Sequence, residues 1–136
     1  MSRYISETLR TLVAKNAQFR CEYCLIFERH SIFPFHIEHI ISLKHGGSSE
    51  IENLAFSCPD CNYNKGTDIA TFVDESDKLS VFFHPRKDKW VDHFEIKADG
   101  IIISKTDIGT ATLNILGLNL FTSVEQRRIL IEKNKL

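Results

Sequence analysis

The sequence lacks long apolar runs. No run of apolar residues in the 136-residue chain approaches the ~18–20 residues needed to span a bilayer. The N-terminal segment has neither an apolar h-region nor a small-residue cleavage site, so we expect no signal peptide. Internal repeats and low-complexity linkers are also missing. We therefore expect a cytoplasmic protein without membrane contact, and its length fits one compact domain.

A surplus of positive charge is absent as well. The chain has 17 Lys and Arg against 18 Asp and Glu, for a net charge of −1, whereas proteins that bind DNA through its phosphates usually carry a basic surplus. The positive charge is local instead. One stretch carries Arg86, Lys87 and Lys89 against a single acid, and residues 127–136 carry four cations against Glu132. Both patches are compatible with DNA contacts, with Arg86, Lys87 and Lys89 as candidates, and both are also compatible with ordinary solvated faces.

The four cysteines form two CxxC pairs, Cys21–Cys24 and Cys58–Cys61, and no cysteine is left over. Two residues between thiolates allow both sulfurs of a pair to reach one ion, and two pairs complete the tetrahedron that zinc prefers. We therefore predict a structural zinc site whose binding free energy contributes directly to folding.

Three other uses of the cysteines fit the sequence less well. Nothing in the sequence indicates the oxidising compartment in which disulfides form, and a thioredoxin-type redox pair would explain one CxxC but not two. A rubredoxin-like iron site would have glycine after each pair, where Leu25 and Asn62 stand here. An iron–thiolate electron carrier is therefore the weakest alternative, and a colourless purified protein would exclude it.

The 33 residues between the two pairs exceed the ~15–20 of a simple zinc ribbon. This insert and the residues just after it contain a run of glycine, histidine, carboxylate and amide residues at fixed spacing. They resemble the HNH endonuclease family, which has the ββα-metal fold. The key positions after His39 are Asn53, Asn62 and Lys65, which follow it by 14, 23 and 26 residues. The resemblance covers about residues 20–66 and is carried by His36-Ile37-Glu38-His39-Ile40-Ile41, Gly46-Gly47, Glu52-Asn53-Leu54 and Cys58-Pro59-Asp60-Cys61-Asn62-x-x-Lys65-Gly66.

The resemblance implies a metal-dependent active site. His39 would be the general base, because a histidine near its ordinary pKa of ~6.5 can take a proton from water at neutral pH. Glu38 and Asn62 would hold a divalent ion through oxygen, which favours Mg²⁺ or Mn²⁺ over catalytic zinc. Asn53 would orient His39 by binding the loop to the strand, and Lys65 would contact a phosphate.

Two departures from the family pattern bear on the identity of the metal. Many family members have aspartate where Glu38 stands and histidine where Asn62 stands. His36 lies on the same strand face as Glu38. It is either a further ligand, or a hydrogen-bond partner of a ligand, or a polar residue beside the site.

We expect an α+β fold: a ββα-metal core held by a four-cysteine zinc site, with an N-terminal helix and a C-terminal β-hairpin plus two helices. The expected divisions are residues 1–18, 19–68 and 69–136, the last packed on the core as one unit. Helices are predicted from a Ser6 cap to Ala17, from Pro59 past Lys65, from a Thr106 cap to Leu116 with Gly117 at its end, and from a Thr122–Glu125 capping box to about Lys133. Strands are predicted at 35–40, 53–57, 79–83, 93–97 and 101–104, and Asp99-Gly100 predicts a hairpin turn between the last two.

The sequence thus predicts an endonuclease that hydrolyses phosphodiester bonds in DNA with His39 as general base. The alternative is a non-catalytic, zinc-stabilised module that binds nucleic acid. The sequence does not distinguish a monomer from a dimer.

Overall fold

The computed structural model describes residues 4–136 and has the α+β architecture expected from the sequence. The helices are α1 Glu7–Asn16, α2 Pro59–Lys65, α3 Trp90–His93, α4 Asp107–Leu116 and α5 Phe121–Glu132. The strands are β1 His36–His39, β2 Leu54–Ser57, β3 Ala70–Phe72, β4 Leu79–Val81, β5 Phe94–Ile96 and β6 Ile102–Ser104. They pair consecutively into two-stranded antiparallel sheets. Among residues 4–136, no helix is both long and apolar enough to cross a membrane.

The chain forms two compact units. The N-terminal unit contains the chain up to Ile69 together with His84–Lys87, and the C-terminal unit contains Ala70–Phe83 and the chain from Asp88 onward. The sequence-based divisions at residues 18 and 68, and the packing of residues 69–136 on the core, stay predictions.

Helix α1 closes the apolar side of the N-terminal unit. The predicted cap is present, since Ser6 Oγ accepts a hydrogen bond from the Leu9 amide at 3.2 Å. Val13 is 1% exposed and belongs to one apolar cluster with Leu54 and Phe56 of β2. Burial of a valine side chain contributes about 1.5–3 kcal/mol, so this face of α1 holds the helix against strand β2.

Strands β1 and β2 and helix α2 form the ββα core. His36 pairs with Ser57, and His39 pairs with Leu54. Two 3₁₀ turns, Leu43–His45 and Ile51–Asn53, interrupt the connection between the strands. Asn53 therefore lies in a turn and not in the strand predicted for it. Pro59 begins α2 as predicted, but the helix ends at Lys65, because Gly66 has a positive φ of 52°.

Three local turn and cap signals are present in the C-terminal unit. The Asp99-Gly100 turn joins β5 to β6, and Gly100 has a positive φ of 88°. Thr106 Oγ1 accepts from the Gly109 amide at 3.0 Å at the start of α4. Gly117 ends that helix in the left-handed conformation.

Other predictions for this unit were wrong. The last helix begins at Phe121 after Leu120, which makes no side-chain cap, so Thr122 lies inside the first turn and no capping box forms. Glu125 pairs with Arg128 at 2.7 Å instead. His93 ends helix α3 and is not part of a strand. Strand β3 was not predicted; it pairs with β4, which is shorter than predicted because Phe82 and Phe83 leave the strand and are buried.

Arg127 is fully buried in the C-terminal unit and does not belong to a solvated basic tail. Its Nε donates to the Gly100 carbonyl at 2.7 Å, and its Nη2 donates to the Leu118 carbonyl and, at 3.3 Å, to Asn119 Oδ1. A buried guanidinium is costly unless its hydrogen bonds are satisfied. Arg127 thus links the hairpin turn to the segment between α4 and α5.

Candidate active site

The four cysteines converge on one buried point. Their sulfur atoms all lie within 4.8 Å of one another, and the Cys24 and Cys58 sulfurs are 3.7 Å apart. Four thiolates about 2.3 Å from a tetrahedral zinc ion would lie about 3.8 Å from each other. The donor set and its spacing fit a structural zinc ion.

Each CxxC pair has a backbone amide that points to a sulfur. The Cys24 amide donates to Cys21 Sγ at 3.5 Å, and the Cys61 amide donates to Cys58 Sγ at 3.4 Å. Burial raises the pKa of the Cys21 thiol, but hydrogen bonds from the other three thiols outweigh it and hold that pKa well below its usual range. A bound zinc ion would favour the thiolate form of all four cysteines.

A cleft of about 320 Å³ lies beside strand β1 and helix α2. Glu38 and His39 line it from β1, and Asn62 lines it from α2. Ser42, Lys44 and Thr67 are also part of its wall. The fold therefore brings together a carboxylate, an imidazole and an amide that are up to 24 positions apart in the sequence (62 − 38).

Glu38 is the buried carboxylate of this cleft and is 6% exposed. The Tyr23 hydroxyl donates a hydrogen bond to its Oε1, and Lys65 Nζ lies 3.8 Å from the same oxygen. Burial raises the pKa of Glu38 to about 7, although Lys65 and the Tyr23 hydrogen bond act in the opposite direction. A divalent ion at this carboxylate would favour its charged form.

Residues 21–68 match the HNH endonuclease family model. The matched stretch, which we call the HNH segment, begins at the first zinc-site cysteine and ends just after α2. The match confirms the resemblance predicted from the sequence and supports a nuclease or other nucleic-acid-related role. No curated protein and no solved structure matched the chain.

The Lys65 side chain is buried rather than exposed on the surface of helix α2. It is 2% exposed, and its Nζ donates to the Ile40 carbonyl at 2.7 Å and to the His39 carbonyl at 3.5 Å. A phosphate contact requires an accessible ammonium, so this burial differs from the phosphate-contacting position expected for Lys65. The structure instead places Lys65 where it supports the end of β1, and its catalytic role stays a prediction.

Asn53 holds the loop of the HNH segment against β1. Its Oδ1 accepts from the Ile41 amide at 2.9 Å, while its Nδ2 donates to the Ile41 carbonyl at 2.8 Å and to the Ser48 carbonyl at 2.7 Å. Gly47 makes this approach feasible, because a Cβ atom there would lie 1.7 Å from the Ile41 carbonyl oxygen. His39 Nε2 lies 2.9 Å from Ser49 Oγ in the same loop. The loop that Asn53 secures therefore contacts the predicted base.

The remaining predicted site residues have different surroundings. His36 is exposed, whereas Glu38 on the same strand is buried. Arg86 is engaged within the N-terminal unit: its guanidinium makes two bonds to the Glu22 carboxylate at 2.7 and 2.6 Å and one to the Leu54 carbonyl at 3.0 Å. Lys87 and Lys89 are exposed. Only these two of the three candidate DNA contacts have freely accessible side chains.

Three residues with clear roles were missed or undervalued by the sequence reasoning. Tyr23, Ser49 and Glu22 are not among the site residues predicted from the sequence. The placement of Tyr23 between two cysteines was the only available signal. Its partner, Glu38, is 15 residues away, and a contact at that separation depends on the tertiary fold.

Proposed function

We propose that this protein is a metal-dependent endonuclease that hydrolyses phosphodiester bonds in DNA. The observation that carries the proposal is the shared cleft of Glu38, His39 and Asn62 within the HNH segment. A base, a carboxylate and an amide oxygen around one open site are the groups that this hydrolysis needs.

His39 takes the proton from the attacking water, and Ser49 at 2.9 Å orients its ring. Asn53 secures the loop that carries Ser49 through its three backbone hydrogen bonds. Glu38 and Asn62 offer oxygen ligands to a divalent ion, and two protein ligands leave positions for water and phosphate. When bound, Mg²⁺ or Mn²⁺ supplies charge stabilisation at the phosphoryl group and the leaving oxygen.

The four-cysteine site has a separate, structural role in this proposal. Zinc bound by Cys21, Cys24, Cys58 and Cys61 would connect the two ends of the HNH segment, so that β1 and α2 keep their relative positions. A reducing cytoplasm suits four thiols that must stay available to a metal. A monomer would nick one strand, whereas a double-strand cut would require two copies or two visits.

A supercoiled-plasmid assay with Mg²⁺ or Mn²⁺ tests the proposal. We expect His39→Ala to lower the cleavage rate by roughly 10²–10⁴-fold, while His45→Ala, at an exposed histidine of the same loop, retains it. Zinc content measured in each variant shows that the fold is intact. Equal cleavage by a zinc-loaded His39→Ala protein would eliminate His39 as the base.

A non-catalytic nucleic-acid-binding module is the second candidate, and one observation favours it. Lys65 already places a cation 3.8 Å from Glu38, which partly satisfies this carboxylate without a metal ion. The same plasmid identifies this function if the zinc-loaded wild type retards its migration but leaves it uncut at all Mg²⁺ and Mn²⁺ concentrations.

A further inference from the structure

We propose that Tyr23 is a positioning residue that links the cysteine site to the metal-binding carboxylate Glu38. The inference rests on the proposed function, because it concerns the divalent ion held by Glu38 and Asn62. Tyr23 would set the direction in which Glu38 presents its oxygens to that ion.

The position of Tyr23 in the chain makes it a rigid support. It lies between Cys21 and Cys24, whose sulfurs belong to the four-thiol cluster, and its side chain is fully buried. A tyrosine side chain has only two flexible torsions, so fixing its backbone on both sides leaves the hydroxyl little freedom. That hydroxyl donates to Glu38 Oε1.

Glu38 needs such a support more than a shorter carboxylate would. Its side chain has several rotatable bonds, and ordering them costs conformational entropy. Tyr23 and Lys65 both approach Oε1, from the first cysteine pair and from α2. Because the Tyr23 hydrogen bond and the Lys65 ammonium both lie at Oε1, we expect Oε2 to be the oxygen that coordinates an ion in the cleft.

Packing alone does not account for the hydroxyl. A phenylalanine would fill nearly the same buried volume, and a buried hydroxyl costs free energy unless it is hydrogen-bonded. The bond to Glu38 provides that partner. The tyrosine therefore acts on the carboxylate, and part of the influence of zinc loading on the divalent-ion site is expected to pass through this side chain.

The test measures Mn²⁺ binding to the zinc-loaded protein by electron paramagnetic resonance, without nucleic acid. Tyr23→Phe removes only the hydroxyl, and Tyr63→Phe makes the same change at a residue that is 85% exposed. Glu38→Gln defines the residual binding elsewhere. We expect roughly 10–100-fold weaker Mn²⁺ binding in Tyr23→Phe and unchanged binding in Tyr63→Phe. The Mn²⁺ concentration that half-saturates plasmid cleavage should rise by the same factor.

Cobalt substitution distinguishes positioning from a general folding defect. Co²⁺ bound by four thiolates gives a characteristic charge-transfer spectrum, which Tyr23→Phe should retain. Loss of that spectrum would show that the hydroxyl is needed to build the cysteine site and would overturn the proposal. Unchanged Mn²⁺ affinity in Tyr23→Phe would overturn only the positioning role of Tyr23. If the wild type binds no more Mn²⁺ than Glu38→Gln, the divalent site of the proposed function is overturned as well.

Discussion

The two compact units are stabilised in different ways. The N-terminal unit has the apolar cluster between α1 and β2 and, in addition, the buried polar side chains of Glu38, Asn53 and Lys65 and four buried thiols. In the C-terminal unit the interior is mainly aromatic and aliphatic, and Arg127 is its buried charge among residues 4–136. Buried apolar residues of this interior include Phe83, Phe94, Ile102 and Leu116.

This difference indicates where function and stability reside. Buried polar groups are costly unless each has a partner, so the N-terminal unit depends on specific geometry, which a catalytic site requires. The C-terminal unit depends on apolar burial, which is less directional. Metal removal should therefore affect the two units unequally.

The largest expected effect is that of zinc removal. Structural zinc provides on the order of 10 kcal/mol of folding free energy, so a chelator, or Cys58→Ser, should unfold the HNH segment and leave the C-terminal unit folded. The single tryptophan, Trp90, belongs to the C-terminal unit and packs on Phe94 with ring centroids 5.0 Å apart. We expect faster amide hydrogen exchange at residues 21–65 with unchanged Trp90 fluorescence. A simultaneous change in both signals would contradict independent stabilisation.

The next effect concerns the C-terminal unit. Arg127→Met leaves the Gly100 and Leu118 carbonyls without their guanidinium donor, and we expect a loss of about 3 kcal/mol in the free energy of unfolding. Urea unfolding followed by Trp90 fluorescence measures it, and zinc content should not change. Arg128→Met is the matched control, because Arg128 is only partly buried and its ion pairs with Glu125 and Glu132 are accessible to solvent, so they should contribute little to stability. Equal stability of the two variants would refute the structural role of Arg127.

Asn53→Ala should have a smaller effect, confined to the N-terminal unit. It removes three hydrogen bonds to the Ile41 and Ser48 backbone, which we expect to cost about 2 kcal/mol. Amide exchange at residues 41–49 should accelerate, and plasmid cleavage should fall because the loop that contacts His39 is loosened. Asn114→Ala, at an exposed position of α4, should leave both measurements unchanged. Slow exchange in the Asn53→Ala loop would exclude this role.

Arg86→Lys should have the smallest effect. Lysine keeps the charge but loses the two-pronged bond to Glu22, so thermal unfolding of the N-terminal unit should show a loss of about 1 kcal/mol. DNA affinity, measured by fluorescence anisotropy, should hardly change, whereas Lys87→Ala combined with Lys89→Ala should lower it. A strong loss of DNA affinity in Arg86→Lys at unchanged stability would instead make Arg86 a direct DNA contact.

Short-range signals predicted much of the fold. The Ser6 and Thr106 caps, Pro59 at the start of α2 and the Asp99-Gly100 turn were found where expected, because each depends on residues within about four positions. The predicted capping box at Thr122 does not form, although its sequence pattern is local. The helix begins at Phe121, one residue before Thr122, so the local pattern did not determine where the helix starts.

Burial of charged residues was not predictable in this way. Lys65 and Arg127 read as accessible cations in the sequence, yet both are nearly or fully buried against backbone carbonyls. Arg86 meets Glu22 across 64 positions. These contacts depend on segments that come together only in the folded chain, so the periodicity of the sequence does not predict them.

The sequence by itself determined the chemistry that is present: four thiols in two pairs, and a histidine, a carboxylate and an amide at the spacing of the HNH segment. Residue types and short spacings specify a donor set because tight turns place neighbouring ligands on one ion. Only the tertiary structure decided which groups face the cleft, that Lys65 supports β1, and that Tyr23 holds Glu38. The physical reason is that burial and hydrogen-bond partners arise from contacts between distant segments.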